Sequence, residues 1–196
     1  MSSPNPVVAP PHVHILLDRL HNESTTQEAA LGSYYSTAEG FDELMRDKFI
    51  ALDQDKSQFV YQLVRAIGAH NIVEVGTSFG VSTIYLALAV GSNLEKSGGK
   101  GTVIATEKES AKAEKARQHW REAGDKLVTR HIDLREGDLL ETLKDNVPIL
   151  DFVLLDSTAW AWAACASLTV SSLGPGSLAG FEDPRAKNET RYGYCH

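Results

Sequence analysis

The chain predicts an α/β fold with a mainly parallel sheet, on three observations. Short β-branched runs at 71–75, 102–106 and 149–155 alternate with segments of helical periodicity. Each run ends in a polar or glycine-containing turn, as strands do where they hand over to a crossover helix. The 196 residues, 42% hydrophobic and 23% charged, suffice for one domain with a sizeable core and are short for two. Strand–helix alternation implies right-handed crossovers and a sheet covered by helices.

Along the chain, four of the seven prolines lie in residues 1–11, which read as an arm. Residues 12–20 read as a short helix, and 24–36, rich in Ser, Thr and Gly, as a loop. Phe41, Leu44, Met45, Phe49 and Leu52 recur at helical spacing. A second helix over 53–69 has Phe59, Val60, Leu63, Val64 and Ile67 as its apolar stripe. Strand 71–75 is followed by an apolar helix over 81–90 and a four-glycine loop over 91–101. Strand 102–106 leads to a charged helix over 109–123. A short strand falls within 128–134, a helical turn over 138–144, and the most hydrophobic strand over 149–155. Residues 157–181 contain no charge, unlike a surface helix of such a fold, and a polar stretch follows.

Charge and cysteine content exclude several classes. With 26 acidic and 19 basic residues the net charge is −7, the wrong sign for a general nucleic-acid or acidic-membrane binder. Two cysteines, Cys165 and Cys195, make no disulfide framework and no zinc spacing. No secretory signal and no run of membrane-spanning length is visible, so a cytoplasmic protein is expected, with neither nucleic acid nor membrane as partner.

Four chemistry-bearing segments fall at strand ends. Glu74-Val75-Gly76-Thr77-Ser78-Phe79-Gly80-Val81-Ser82 closes the first strand and opens a helix. Gly76 allows a tight turn, Gly80 lets the helix start close by, and the free N–H groups of a helix start favour an anion. This is neither a GxGxxG nor a P-loop, and taken alone it is as well read as a structural turn. Glu107 ends the second strand, where a carboxylate accepts both hydroxyls of a ribose or simply begins a helix. In Arg135-Glu136-Gly137-Asp138, Asp138 either reaches an adenine amino group or caps the next helix. Asp156 ends the most apolar strand and reads as a metal or substrate ligand, or a cap.

With these four in order, the chain resembles class I S-adenosylmethionine (SAM)-dependent methyltransferases. Within them it is similar to the small metal-dependent O-methyltransferases that include catechol and caffeoyl-CoA O-methyltransferases. The likeness covers roughly residues 34–156. It implies a Rossmann-like methyltransferase sandwich, with residues 1–36 as arm and short helix, 37–183 as the SAM-binding domain and 184–196 as a polar tail. It implies a cofactor site of Glu74, Gly76, Thr77, Ser78, Gly80, Ser82, Glu107, Gly137, Asp138 and Asp156, with Ser82 on the methionine carboxylate and Glu107 on the ribose. Asp156 would bind a divalent cation, Mg²⁺ by that family's habit, and is the expected catalytic residue. Glu182 and Asp183 take the places of the remaining metal ligands.

Two departures from that family stand out. No Lys lies within the few residues after Asp156, Ser157-Thr158-Ala159-Trp160-Ala161, where the family carries its base, and only thirteen residues follow Asp183. The usual C-terminal antiparallel hairpin is therefore expected to be lacking, leaving a sheet edge on which a second copy would pair as a homodimer. The function expected is methyl transfer to a hydroxyl of a small phenolic or catechol-like acceptor. The alternative is a repurposed methyltransferase-like protein that binds cofactor or dimerises without turnover. A nicotinamide-dependent oxidoreductase is disfavoured by the spacing of Gly76 and Gly80.

Overall fold

The computed structural model describes residues 4–31, 47–156, 173–182 and 190–194. In order these form α1 (Pro11–Leu31), α2 (Gln54–Ile67), β1 (Asn71–Val75), α3 (Val81–Ser97), β2 (Thr102–Glu107), α4 (Ser110–Ala123) and a 3₁₀ turn (Thr129–His131). There follow β3 (Ile132–Glu136), α5 (Leu139–Thr142), β4 (Leu150–Asp156), β5 (Leu173–Glu182) and β6 (Thr190–Tyr194). The strands make one sheet in the order β3-β2-β1-β4-β5-β6. β1 to β5 run parallel, and β6 is antiparallel to β5. The direction of winding reverses between β1 and β4, which opens a crevice at the C-terminal ends of those strands.

Alternation along the strands divides the core. Ile72, Val103, Ala105, Phe152 and Leu154 face one large cluster shared with α1, α2, α3 and α4. Val73, Val75, Ile104, Val153 and Leu155 face the other side, where Leu143 and Leu150 join them. α3 is apolar around most of its girth because it is buried around most of it: every residue from Val81 to Val90 is buried. No helix among the described residues is long and apolar enough to cross a membrane.

Several sequence expectations are corrected. α1 runs on to Leu31 where a loop was expected from residue 24. Its hydroxyls are satisfied inside the helix: Thr25 Oγ1 donates to the His21 carbonyl at 2.9 Å, and Thr26 Oγ1 to that of Asn22 at 2.7 Å. Ser24 Oγ and Gln27 Oε1 accept the backbone N–H groups of Ala51 and Phe49. These bonds hold residues 48–53 as an extended strap against α1, so the helix expected over 41–52 does not include them; residues 41–46 lie outside those described. α2 buries Ser57, Val60, Tyr61 and Val64, while Phe59 and Ile67 of the expected stripe are exposed.

α3 likewise continues past Gly91 to Ser97, through the first part of the expected glycine loop. A Cβ on Gly91 would come within 3.0 Å of His131 Nε2, so the glycine serves close packing inside the helix and not a turn. Asn93 Nδ2 then donates to the carbonyls of Val64 and Ala69 at the end of α2.

At the C-terminus, β6 supplies one antiparallel strand, within residues 184–196 that were expected to be a polar tail without room for both strands of a hairpin. Seven intervening residues suffice to return the chain, and Thr190, Tyr192 and Tyr194 are strand-favouring types. β5 accommodates Pro175 through an irregularity: Leu150 pairs with Leu173 and Phe152 already with Leu178, leaving the proline outside the ladder. Ser177 Oγ closes that bulge by donating to the Leu150 carbonyl at 2.7 Å. Tyr34, Tyr35, Trp160, Trp162, Cys165, Asp183 and Cys195 lie outside the described residues.

Candidate functional site

The site is built from the C-terminal edges of β1, β2, β3 and β4. After Val75 the chain turns at Gly76 (φ +90°), and Gly80 (φ +77°) opens α3. Between them Ser78 adopts φ +50°, a left-handed conformation uncommon outside glycine. The loop is held internally by Gly80 N–H on the Thr77 carbonyl at 2.8 Å and across to β2 by Thr77 N–H on the Thr106 carbonyl at 3.0 Å. The strained Ser78 aims its N–H at Glu107 Oε2, 2.7 Å away. Loop and β2 tip are thus joined by a charge-assisted bond.

Glu107 is 9% exposed. Its other oxygen, Oε1, accepts the Glu109 N–H at 2.8 Å. Burial pushes its pKa up; backbone donors at Glu109, Ser78 and Lys108 and the nearby charge of Lys112 oppose that rise. A carboxylate has about four acceptor sites. Backbone N–H groups take up part of that capacity and leave acceptor sites for a hydroxyl, so the residue type fits the ribose role. Lys112 lies over the Phe79 ring, 5.9 Å from its centroid. Burial lowers its pKa, offset by the charges of Glu107, Glu109, Asp47 and Asp156.

Glu74 occupies a different place from the one expected. It is fully buried beneath the loop and touches no open surface. Three hydroxyls donate to its carboxylate: Thr77 Oγ1 at 3.0 Å, Ser82 Oγ at 2.6 Å and Thr83 Oγ1 at 2.5 Å. Burial raises its pKa to about 7 against those three donors, with a smaller push from the Glu107 charge. The Ser82 hydroxyl, placed by the resemblance on a ligand carboxylate, therefore spends its proton on Glu74.

Gly80 also serves packing. A Cβ there would lie 2.5 Å from Trp120 Nε1 and 2.9 Å from Ala116 Cβ. The indole instead donates to the Gly80 carbonyl at 2.9 Å, and His119 Nδ1 bonds the Phe79 carbonyl at 2.9 Å. α4 thereby clamps the loop from behind. Trp120, His119, Thr83 and Lys112 are residues that support the loop and its carboxylates and that sequence reasoning did not place there. For Trp120 a signal exists in its spacing from Ala113, Ala116 and Ala123, which form the buried face of α4.

At the edge of β3, Gly137 (φ +126°) donates its N–H to the Glu107 carbonyl at 2.9 Å. Asp138 Oδ1 accepts the Leu140 N–H at 2.9 Å, so of its two readings the structure realises the cap. Asp156 closes β4, and Glu182 sits opposite it in register on β5. Asp183 lies beyond the described residues. Among the described residues no group of three or more His, Cys, Asp or Glu side chains converges as a metal site.

Comparisons with known proteins agree with this fold. A provisionally assigned O-methyltransferase from Klebsiella pneumoniae is 23% identical, with 84% of this chain and 63% of that chain covered and a TM-score of 0.61. The O-methyltransferase TomG from Streptomyces achromogenes, involved in tomaymycin synthesis and solved in complex with SAM, is 19% identical over 82% of this chain and 72% of its own, with a TM-score of 0.59. The O-methyltransferase from Bacillus cereus, solved in complex with SAH, is 20% identical over 82% and 73%, with a TM-score of 0.59. At these identities the likeness establishes the fold, and the chain spans less than two thirds of the length of the first of these structures. No protein of curated function matches it by sequence. The family described as "Methyltransferase domain" matches residues 73–183, which carry the loop, Glu107, Asp138 and Asp156, and the chain belongs to that family.

Proposed function

We propose that this protein is a SAM-dependent O-methyltransferase that methylates a hydroxyl of a small phenolic or catechol-like acceptor, with a divalent cation assisting. The observation that carries the reading is the Ser78 N–H bond to Glu107. It ties a glycine loop and a helix start to a strand-end carboxylate around one crevice, the set that a ribose and an amino-acid carboxylate together call for. Bound SAM supplies the electrophilic methyl group. Glu107 takes the ribose hydroxyls, the 76–80 loop approaches the cofactor through its backbone, and the α3 N-terminus with Ser82 faces the carboxylate. Asp156, Glu182 and Asp183 would hold the cation, whose charge would lower the pKa of the acceptor hydroxyl. A sparse cysteine content suits the cytoplasm.

Methyl transfer to a panel of catechols and phenols tests the reaction. Product formation is expected to need Mg²⁺ and to fall by about two orders of magnitude or more in Asp156→Ala. Turnover insensitive to both chelator and that substitution would remove the cation from the account. A second reading, cofactor binding without turnover, draws on the sequence: Ser157-Thr158-Ala159-Trp160-Ala161 offers no Lys, and Glu182-Asp183 replaces Asp-Asn. Tight SAM binding with no product from any acceptor would favour it.

A further inference from the structure

The strap over residues 48–53 connects the N-terminal helix to the glycine loop. In an extended chain the backbone groups of alternate residues face the same side. The N–H groups of Phe49 and Ala51 accordingly turn together toward α1, where Gln27 Oε1 accepts the first at 3.1 Å and Ser24 Oγ the second at 2.8 Å. The carbonyl of Ile50, between them, faces the loop and accepts the Ser78 hydroxyl at 3.4 Å. The buried Phe49 ring stacks on that of Phe79, with 4.5 Å between centroids and 27° between planes. Ser78 is the residue held at φ +50° with its N–H on Glu107. Two polar side chains of α1 therefore fix a strap that lies against the left-handed serine of the loop. Ser24 is only 4% exposed, so its hydroxyl serves Ala51 and not solvent.

We propose that Ser24 and Gln27 are positioning residues for the glycine loop, acting through the strap to hold Ser78 in the conformation that bonds Glu107. α1 does not depend on them for its own docking, because Val13, Leu16, Leu17 and Leu20 are buried in the core. Removing either acceptor leaves a strap N–H without its partner and loosens the strap. Ser78 then relaxes toward ordinary backbone angles, since a left-handed serine persists only where its surroundings impose it. Its N–H leaves Glu107, and the loop and the tip of β2 lose their fixed spacing. The consequence for ligand binding rests on the reading of the crevice as a SAM site.

The free protein tests the coupling without a ligand. In ¹H–¹⁵N spectra the Ser78 amide is expected to shift, and its hydrogen exchange to speed up, in Ser24→Ala and in Gln27→Met. Gln27→Met keeps the length of the exposed side chain and removes the acceptor. Gln27→Glu keeps the acceptor and is expected to leave the Ser78 amide as in wild type. So is Thr26→Ala, whose hydroxyl bonds the Asn22 carbonyl inside the same helix. Calorimetric titration with SAM reads the consequence. Affinity is expected to fall by about three- to tenfold in Ser24→Ala and Gln27→Met, and to be kept in Gln27→Glu and Thr26→Ala. A role confined to the stability of α1 would lower the thermal midpoint and leave the Ser78 amide where it is, and that result would overturn the proposal whatever SAM does. SAM affinity unchanged in S24A and Q27M, with wild type binding, would overturn it too. A Ser78 amide that moves in both variants of a folded protein that binds no SAM would support the coupling and place the failure in the proposed function.

Discussion

A carboxyl group out of contact with water makes stability depend on pH in a direction opposite to that of most acidic residues. Glu74 is raised from 4.5 to about 7 in the folded protein, first by burial. Below pH 4.5 it is protonated in both folded and unfolded chains and contributes no pH dependence. Between pH 4.5 and 7 the unfolded chain releases the proton while the folded chain keeps it, so stability falls as pH rises, by roughly 3 kcal/mol in total. Denaturant unfolding of wild type and Glu74→Gln from pH 5 to 8 is expected to show this decline as a pH-dependent difference between the two. A constant difference across the range would contradict it. The residue was visible in the sequence as part of the loop segment, but its place was not. Strand periodicity puts Glu74 on the same face as Ile72, toward the α1–α4 layer, and the three hydroxyls that make burial tolerable come from Thr77, Ser82 and Thr83, each innocuous by itself.

At the scale of elements, strands and helices differ in how openly they are encoded. β1, β2 and β4 are β-branched or apolar runs between turn residues and are readable locally, because buried parallel strands need apolar side chains on both faces. The length of α3 is not readable locally. Gly91 signals a break until His131, forty residues away, is seen to need the space a side chain would fill. The Ser and Thr residues of α1 mislead for a related reason: their local competition with the backbone is resolved by bonds to carbonyls one turn back and by the strap at Ala51. The junction of loop and α4 carries a direct test. Gly80→Ala places a methyl 2.5 Å from the Trp120 indole at a backbone angle of +77°. Strain and overpacking together should cost about 2–4 kcal/mol. The thermal midpoint and the SAM affinity of the variant check this, both being expected to fall; an unchanged midpoint would show that the clamp is not as tight as its contacts imply.

For the whole molecule, the order β3-β2-β1-β4-β5-β6 explains why four separated segments meet. Every parallel strand delivers its C-terminal residue to one edge, and the reversal between β1 and β4 leaves room there. Glu107 and the glycine loop were legible as a candidate site because a ligand at such an edge would call for those residue types directly after a strand. Asp138 was legible only as an ambiguity, since capping and ligand binding call for the same side chain. The C-terminal strand β6 was hidden because length alone argued against it, whereas a seven-residue return and alternating Thr and Tyr are enough to build one more strand.

The central claim is that this edge is a SAM site organised by the bond between Ser78 and Glu107. Calorimetric titration of the 196-residue protein with SAM, beside Glu107→Gln, tests it most directly. Micromolar binding by wild type, weakened by about tenfold or more in the variant, is the predicted result. A folded wild-type protein that binds no SAM, or one whose affinity is unchanged in Glu107→Gln, would contradict it.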